Sequence, residues 1–69
     1  MTKHIKGLFG NRVRERRLAL GLTQQELADR AGLHRSYIGQ IELGRRNVTL
    51  KSAAKIAKAL HVDIASLLN

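Results

Sequence analysis

Apolar residues recur along this chain at helical rather than strand spacing. Phe9, Val13 and Leu20 fall on one stripe, with Arg17 on the same line. Leu27, Ala28 and Ala31 make a second stripe, and Ile38 with Ile41 a third. Leu50, Ala53, Ala54, Ile56, Ala57 and Leu60 make a fourth, with Lys51, Lys55 and Lys58 on its wet side. The final segment, Ile64 to Leu68, is almost wholly apolar. No stretch alternates with period two, and there is neither an internal repeat nor a low-complexity tract. The pattern predicts an all-α fold of five helices. The first reaches Leu20; the others run over about 24–31, 34–43, Leu50–His61 and Ile64–Leu68.

The boundaries have their own signals. Thr23 followed by Glu26 is a capping box: the hydroxyl takes one orphan N–H of the helix and the carboxylate returns to another. Gly21, Gly32 and Gly44 each stand where a helix should stop. Thr49 and Asp63 are N-cap types before the last two helices. Gly7 and Gly10 weaken the first helix and leave its start open between Ile5 and Asn11. Residues 1–8 are therefore read as a basic arm carrying Lys3, His4 and Lys6, and residues 9–69 as one domain.

Two short helices joined by a tight turn containing Gly, over residues 24–43, are the sequence form of a helix-turn-helix. The outer face of its second helix follows from about 100° per residue. With Ile38, Ile41 and Glu42 inward, Ser36, Gly39, Gln40 and Leu43 point outward, and Arg35 and Tyr37 lie on the flanks. That face holds hydrogen-bonding groups and no acid. Gly39 costs roughly 1 kcal/mol against Ala inside a helix. It suits a place where something must approach the backbone, and equally a neutral surface. Arg17 and Glu42 both fall on buried stripes. A buried charge needs a partner, so the two are expected to pair across the core.

Composition narrows the chemistry. A chain of 69 residues holds one domain, near the lower size limit for a core that folds unaided. There is no Cys, so helix packing must supply the stability, with dimerisation as a further source. No apolar run approaches the roughly 18 residues of a membrane span, and the N-terminus has no signal-peptide pattern. A cytoplasmic protein is expected. Thirteen Lys and Arg oppose five Asp and Glu, a formal +8 that calls for a polyanion, nucleic acid first. Aromatics are only Phe9 and Tyr37, which disfavours base-stacking platforms for single strands or RNA. His4, His34 and His61 lie in different elements without metal-ligand spacing, and Ser36, Ser52 and Ser66 have no nucleophile setting. No catalytic residue, metal site or cofactor is expected, and the chain is not read as an enzyme.

The run GLTQQELADRAGLHRSYIGQIELGRRNVTL resembles the helix-turn-helix of the phage-repressor class, the Cro/CI or XRE-type family. The resemblance extends from about Phe9 to Leu68 and rests on T-Q-x-E-L-A, A-G-x and I-x-x-I-E-x-G. Within that family the segment is most similar to the controller proteins of restriction–modification systems, which are small dimeric regulators. The resemblance implies a λ-repressor-like five-helix bundle whose second motif helix enters the DNA major groove. It places Arg35, Ser36, Tyr37 and Gln40 at base readout, with Tyr37 at a backbone or base contact. It places Thr23, Gln24 and Gln25 at the DNA backbone, and Arg46 and Asn47 in the loop after the recognition helix, which touches the backbone and sometimes bases. Arg17 and Glu42 match a buried ion pair of that class. His34 stands where Ser, Thr or Asp is commoner; it caps weakly or reaches a phosphate when protonated.

The chemistry agrees with these placements. Arg35 can fork onto guanine O6 and N7, and Gln40 can pair with adenine. The N-terminus at Gln24 suits a phosphate, and Arg45 and Arg46 supply charge without sequence preference. So small a domain reads few base pairs, which favours a homodimer on a palindrome. Ile64, Leu67 and Leu68 are candidate dimer contacts; Ile64 and Leu67 could instead close the core, and both could hold at once. The expected partners are double-stranded DNA and a second copy, with no membrane and no small-molecule ligand. The alternative is an antitoxin-type module that binds a protein and its own promoter; fold alone does not separate the two.

Overall fold

The computed structural model describes residues 5–68. Five helices follow one another: α1 (Ile5–Ala19), α2 (Gln24–Ala31), α3 (Arg35–Glu42), α4 (Leu50–Ala59) and α5 (Ile64–Leu68). No strand occurs among the described residues. α1 begins at the early limit of the range left open, so residues 5–8 of the expected arm are helical. Lys3 and His4 lie outside the described residues, as does the side chain of Lys6.

α1 packs on α3 and α5, α2 on α3 and α4, and α4 on α5. The enclosed core is Phe9, Val13, Leu27, Ile38, Ile41, Ile56 and Leu60, with Ala28, Ala31, Ala53, Ala57, Ala59 and Leu67 filling between them. Leu20 is only partly buried at its edge. One close approach fixes how α1 meets α3. A Cβ on Gly10 would collide with the carbonyl oxygen of Ile41, so the two backbones touch there. The residue that weakens α1 in isolation is the one that lets it seat.

Three expectations are corrected. α4 ends at Ala59 rather than His61. His61 takes a left-handed φ of 59°, and the N–H groups of His61 and Val62 return to Lys58 O and Ala57 O at 3.1 and 3.0 Å. His is among the residues that tolerate this region, so a turn of glycine type forms without glycine. The apolar face of α4 is narrower than its sequence stripe. Leu50 is 77% exposed and Ala54, one turn on, is exposed as well, whereas Ala53, Ile56, Ala57 and Leu60 face the core and Ala59 is buried with them. Leu67 is 2% exposed and belongs to this chain's own core, so it is not available as a dimer contact. Ile64 is half-buried against the same core, and Leu68 remains exposed.

Candidate nucleic-acid interface

α3 buries Ile38, Ile41 and Glu42 and turns Arg35, Ser36, Gln40 and Leu43 outward. Tyr37 lies between, packed in part against the core. Gly39 is also on the outward side. A Cβ there would meet only the Gln24 amide, at 3.8 Å, so nothing inside the protein demands glycine.

Beneath this face, Arg17 Nε and Nη2 donate to Glu42 Oε2 and Oε1 at 2.7 and 2.9 Å. Arg17 Nη1 donates to Leu22 O at 2.8 Å, which binds the end of α1 into the same knot. The hydrogen bonds that Arg17 donates to Glu42 raise its pKa above the ordinary value against the opposing effect of burial. Gln24 Nε2 donates to Glu42 Oε1 at 3.1 Å, so the amide at the start of α2 is held by the ion pair. Gln24 is thereby fixed beside α3 as well as at the mouth of α2.

The N-terminus of α2 has the expected capping box. Glu26 N donates to Thr23 Oγ1 at 3.0 Å, and Thr23 N donates to Glu26 Oε1 at 2.8 Å. The backbone N–H of Thr23, then its hydroxyl, holds the Glu26 carboxyl below its ordinary pKa. The box satisfies the N–H of Glu26 and leaves those of Gln24 and Gln25 for an anion. Gln25 Nε2 donates to Asp29 Oδ1 at 2.8 Å, so only its second amide hydrogen faces outward use. His34 occupies the N-cap of α3 in extended backbone but makes no side-chain capping bond. The weak-cap reading of His34 is thus set aside; its ring is exposed.

The end of α3 brings the basic loop to this face. Gly44 takes a φ of 70°, its N–H returns to Ile41 O at 3.0 Å, and Arg45 N–H returns to Gln40 O at 2.9 Å. This is a Schellman turn, and it folds the chain back along the last turn of the helix. Arg45, Arg46 and Asn47 are exposed there. Arg46 departs from a plain phosphate role. Its Nη1 donates to Gln40 Oε1 at 2.9 Å, and its guanidinium carbon stands 5.0 Å from the centre of the Tyr37 ring.

The capped N-terminus of α2, the outward polar face of α3 and the basic loop at its end therefore lie close together. Residues 13–67 match the helix-turn-helix family model HTH_3. The chain belongs to this helix-turn-helix family. It is 47% identical over 70 residues to the control protein C.BamHI of Bacillus amyloliquefaciens, covering 100% of this chain and 86% of that one. It is 44% identical over 64 residues to the control protein C.SmaI of Serratia marcescens, covering 93% and 76%. The crystal structure of the restriction–modification controller protein C.AhdI from Aeromonas hydrophila superposes with a TM-score of 0.88 at 47% identity, over 90% of this chain and 94% of that one. The helix-turn-helix chain is a DNA-binding transcriptional regulator similar to restriction–modification controller proteins. These relatives are regulators rather than enzymes. No helix among the described residues is long and apolar enough to cross a membrane.

Within this family frame, the side chains named from sequence divide in two. Arg35, Ser36, Gln40, Arg45, Arg46 and Asn47 are exposed on or beside α3, and Thr23, Gln24 and Gln25 cluster at the start of α2. Two linkages escaped the sequence. Gln24 leans on Glu42, and Arg46 leans on Gln40 and Tyr37. The second had a trace: a Gly followed by two Arg after a helix predicts that the Arg pair folds back on the last turn.

Proposed function

We propose that this regulator binds a palindromic operator as a homodimer, with α3 of each copy in the major groove, as a controller of a restriction–modification system in the cytoplasm. The observation that carries this reading is the outward face of α3. Arg35, Ser36 and Gln40 are exposed on one side with no acid among them, and the loop of Arg45, Arg46 and Asn47 lies at its end. Arg35 reads a guanine edge, and Tyr37 and Ser36 lie against neighbouring base edges or sugar. Thr23, Gln24 and Gln25 hold a phosphate at the N-terminus of α2, His34 approaches the next one, and Arg45 and Asn47 track the backbone. Leu68, 46% exposed at the end of α5, and the half-buried Ile64 beside it support a self-contact there. Two recognition helices about 34–36 Å apart would then face successive turns of one side of the duplex.

The experiment is selection of binding sites from random duplex DNA at about 150 mM salt, with affinity for the winners compared with scrambled duplex. The expected result is an enriched gapped palindrome, bound by two copies in sedimentation. Weak binding without a motif, vanishing as salt rises, would mean that the +8 charge alone attracts DNA. A motif without symmetry, bound by one copy, would remove the dimer.

A further inference from the structure

The C-terminal ends of α2 and α4 border an open cleft of about 440 Å³. Its floor is Ala31 and Ala59, both buried, whose methyl groups are too short to fill it. Its rim is Arg30 of α2, Lys55 and Lys58 of α4, and His61 in the turn that follows, all exposed. Lys51 is exposed one turn before Lys55, and the exposed Ala54 lies on the same face. The three lysines thus stand at i, i+4 and i+7 along roughly 10 Å of helix.

The acids of this chain are engaged or placed elsewhere. Among the described residues the one ion pair is Arg17 with Glu42. Glu26, one turn before Arg30, is held by Thr23, and Asp29 accepts from Gln25. Glu15 is on α1, Asp63 directly precedes α5, and no acid lines the cleft. Helix dipoles favour cations in a last turn, which accounts for Arg30 and Lys58. They do not account for Lys51 and Lys55, whose like charges one turn apart weaken the helix, or for the hollow beside them. Nor does the cleft resemble the phosphate contacts of the other face. It lies at the far end of α2 from Gln24, roughly 9 Å along the axis. It is bordered by helix C-termini, and it has no Ser, Thr, Asn or Gln donor and no aromatic ring.

We propose that this cleft docks an acidic helical segment of a partner protein. Carboxylates at i, i+4 and i+7 of that segment face Lys51, Lys55 and Lys58, and a further one reaches Arg30 across the hollow. Ala54 lets the two helices approach closely along the lysine row. Because the cleft is away from α3, the partner and DNA are held at the same time.

The probe is a fluorescent, alanine-rich peptide of about 16 residues, long enough to hold a helix, with Glu at those spacings. A second peptide of the same composition scatters its Glu residues around the helix. Anisotropy titrations use the full chain at about 50 mM salt, where exposed charges are little screened, first free and then saturated with its selected operator. The variants are Lys55→Gln/Lys58→Gln and, as a control for net charge, Arg12→Gln/Arg14→Gln on the exposed side of α1. Thermal melts establish that both fold.

The patterned peptide should bind more tightly than the scattered one. Its affinity should fall roughly 5–30-fold in the lysine variant, the loss of two charge pairs, and hold in the arginine variant. Operator affinity should be unchanged by the lysine changes, and operator should not displace the peptide. Failure of the patterned peptide to bind overturns the inference. Equal binding of both peptides, or equal losses in both variants, reduces it to net charge and overturns it as well. Displacement by operator puts the peptide on the DNA face. Lysine-dependent binding of scrambled duplex to the operator-saturated chain, with the peptide displaced, makes the cleft a second nucleic-acid site instead. The free-chain titration reads the cleft even if no operator is selected, so this inference and the operator reading fail separately.

Discussion

Arg17 and Glu42 meet through two parallel hydrogen bonds of 2.7 and 2.9 Å, 25 residues apart in sequence, and join α1 to the recognition helix. The same carboxylate holds Gln24, so one buried charge pair sets the relation of three helices. Removing one partner leaves the other buried and unpaired, which costs about 3–5 kcal/mol. A domain this small holds only about 5–15 kcal/mol in total, and this one sits near the lower end. Arg17→Ala and Glu42→Ala should each melt far below the native chain. The double variant Arg17→Met/Glu42→Leu should melt above both. Circular dichroism melts decide this; a double variant equal to the sum of the singles would mean that the two residues act independently.

The capping box makes a pH prediction. The folded chain holds the Glu26 carboxyl below its ordinary value, through the Thr23 backbone N–H first and its hydroxyl second. A lowered folded pKa gives stability that is present above the unfolded value, about 4.3 for Glu, and is lost as pH falls through the folded value. Denaturation midpoints of the native chain should therefore fall across that acid window. Glu26→Gln keeps an acceptor for the Thr23 N–H but cannot titrate, so the native-minus-variant difference should shrink as pH drops. A difference that stays constant from pH 6 to pH 2 on the roughly logarithmic scale of linkage would exclude the carboxylate as its source.

Two glycines should respond oppositely to alanine. At Gly10 the new methyl meets the Ile41 carbonyl oxygen, and α1 must move off α3. Overpacking of this kind costs about 1–3 kcal/mol, more than the roughly 1 kcal/mol that alanine returns in helix propensity. At Gly39 the methyl meets only the Gln24 amide, at ordinary contact distance. Gly39→Ala should raise the folded stability by up to about 1 kcal/mol. If the same variant binds operator DNA more weakly, the backbone of α3 is a surface that DNA approaches closely. Unchanged affinity would return Gly39 to a neutral position. Chemical denaturation and operator titration of both variants separate the two cases.

Arg35 and Arg45 should separate readout from attraction. Arg35→Ala should lose discrimination at one operator position, at about 1–3 kcal/mol, with other positions unchanged. Arg45→Ala should weaken operator and scrambled duplex alike and reduce the salt slope by about one. Titrations against single-base operator variants over a salt series measure both. Equal losses for every sequence in Arg35→Ala would remove it from base readout.

By itself the sequence determined what local physics controls. Helical periodicity set the five elements, Thr23 with Glu26 set the start of α2, and Gly21, Gly32 and Gly44 set three ends, because caps and glycine turns act over a few residues. The stripe geometry also placed Arg17 and Glu42 inward and left Arg35, Ser36 and Gln40 outside. Only the tertiary structure decided how far coverage reaches and which side chains share a partner. Leu50 and Leu67 have equal hydropathy, yet one is left exposed at the start of α4 and the other closes the core. Gly10 reads as a helix breaker until α3 lies across it. Glu42 holds Gln24 across 18 residues, and Arg46 reaches Gln40 through a turn whose direction depends on where α3 ends. These are relations between elements, fixed by packing angle and distance, and no periodicity within one element carries them.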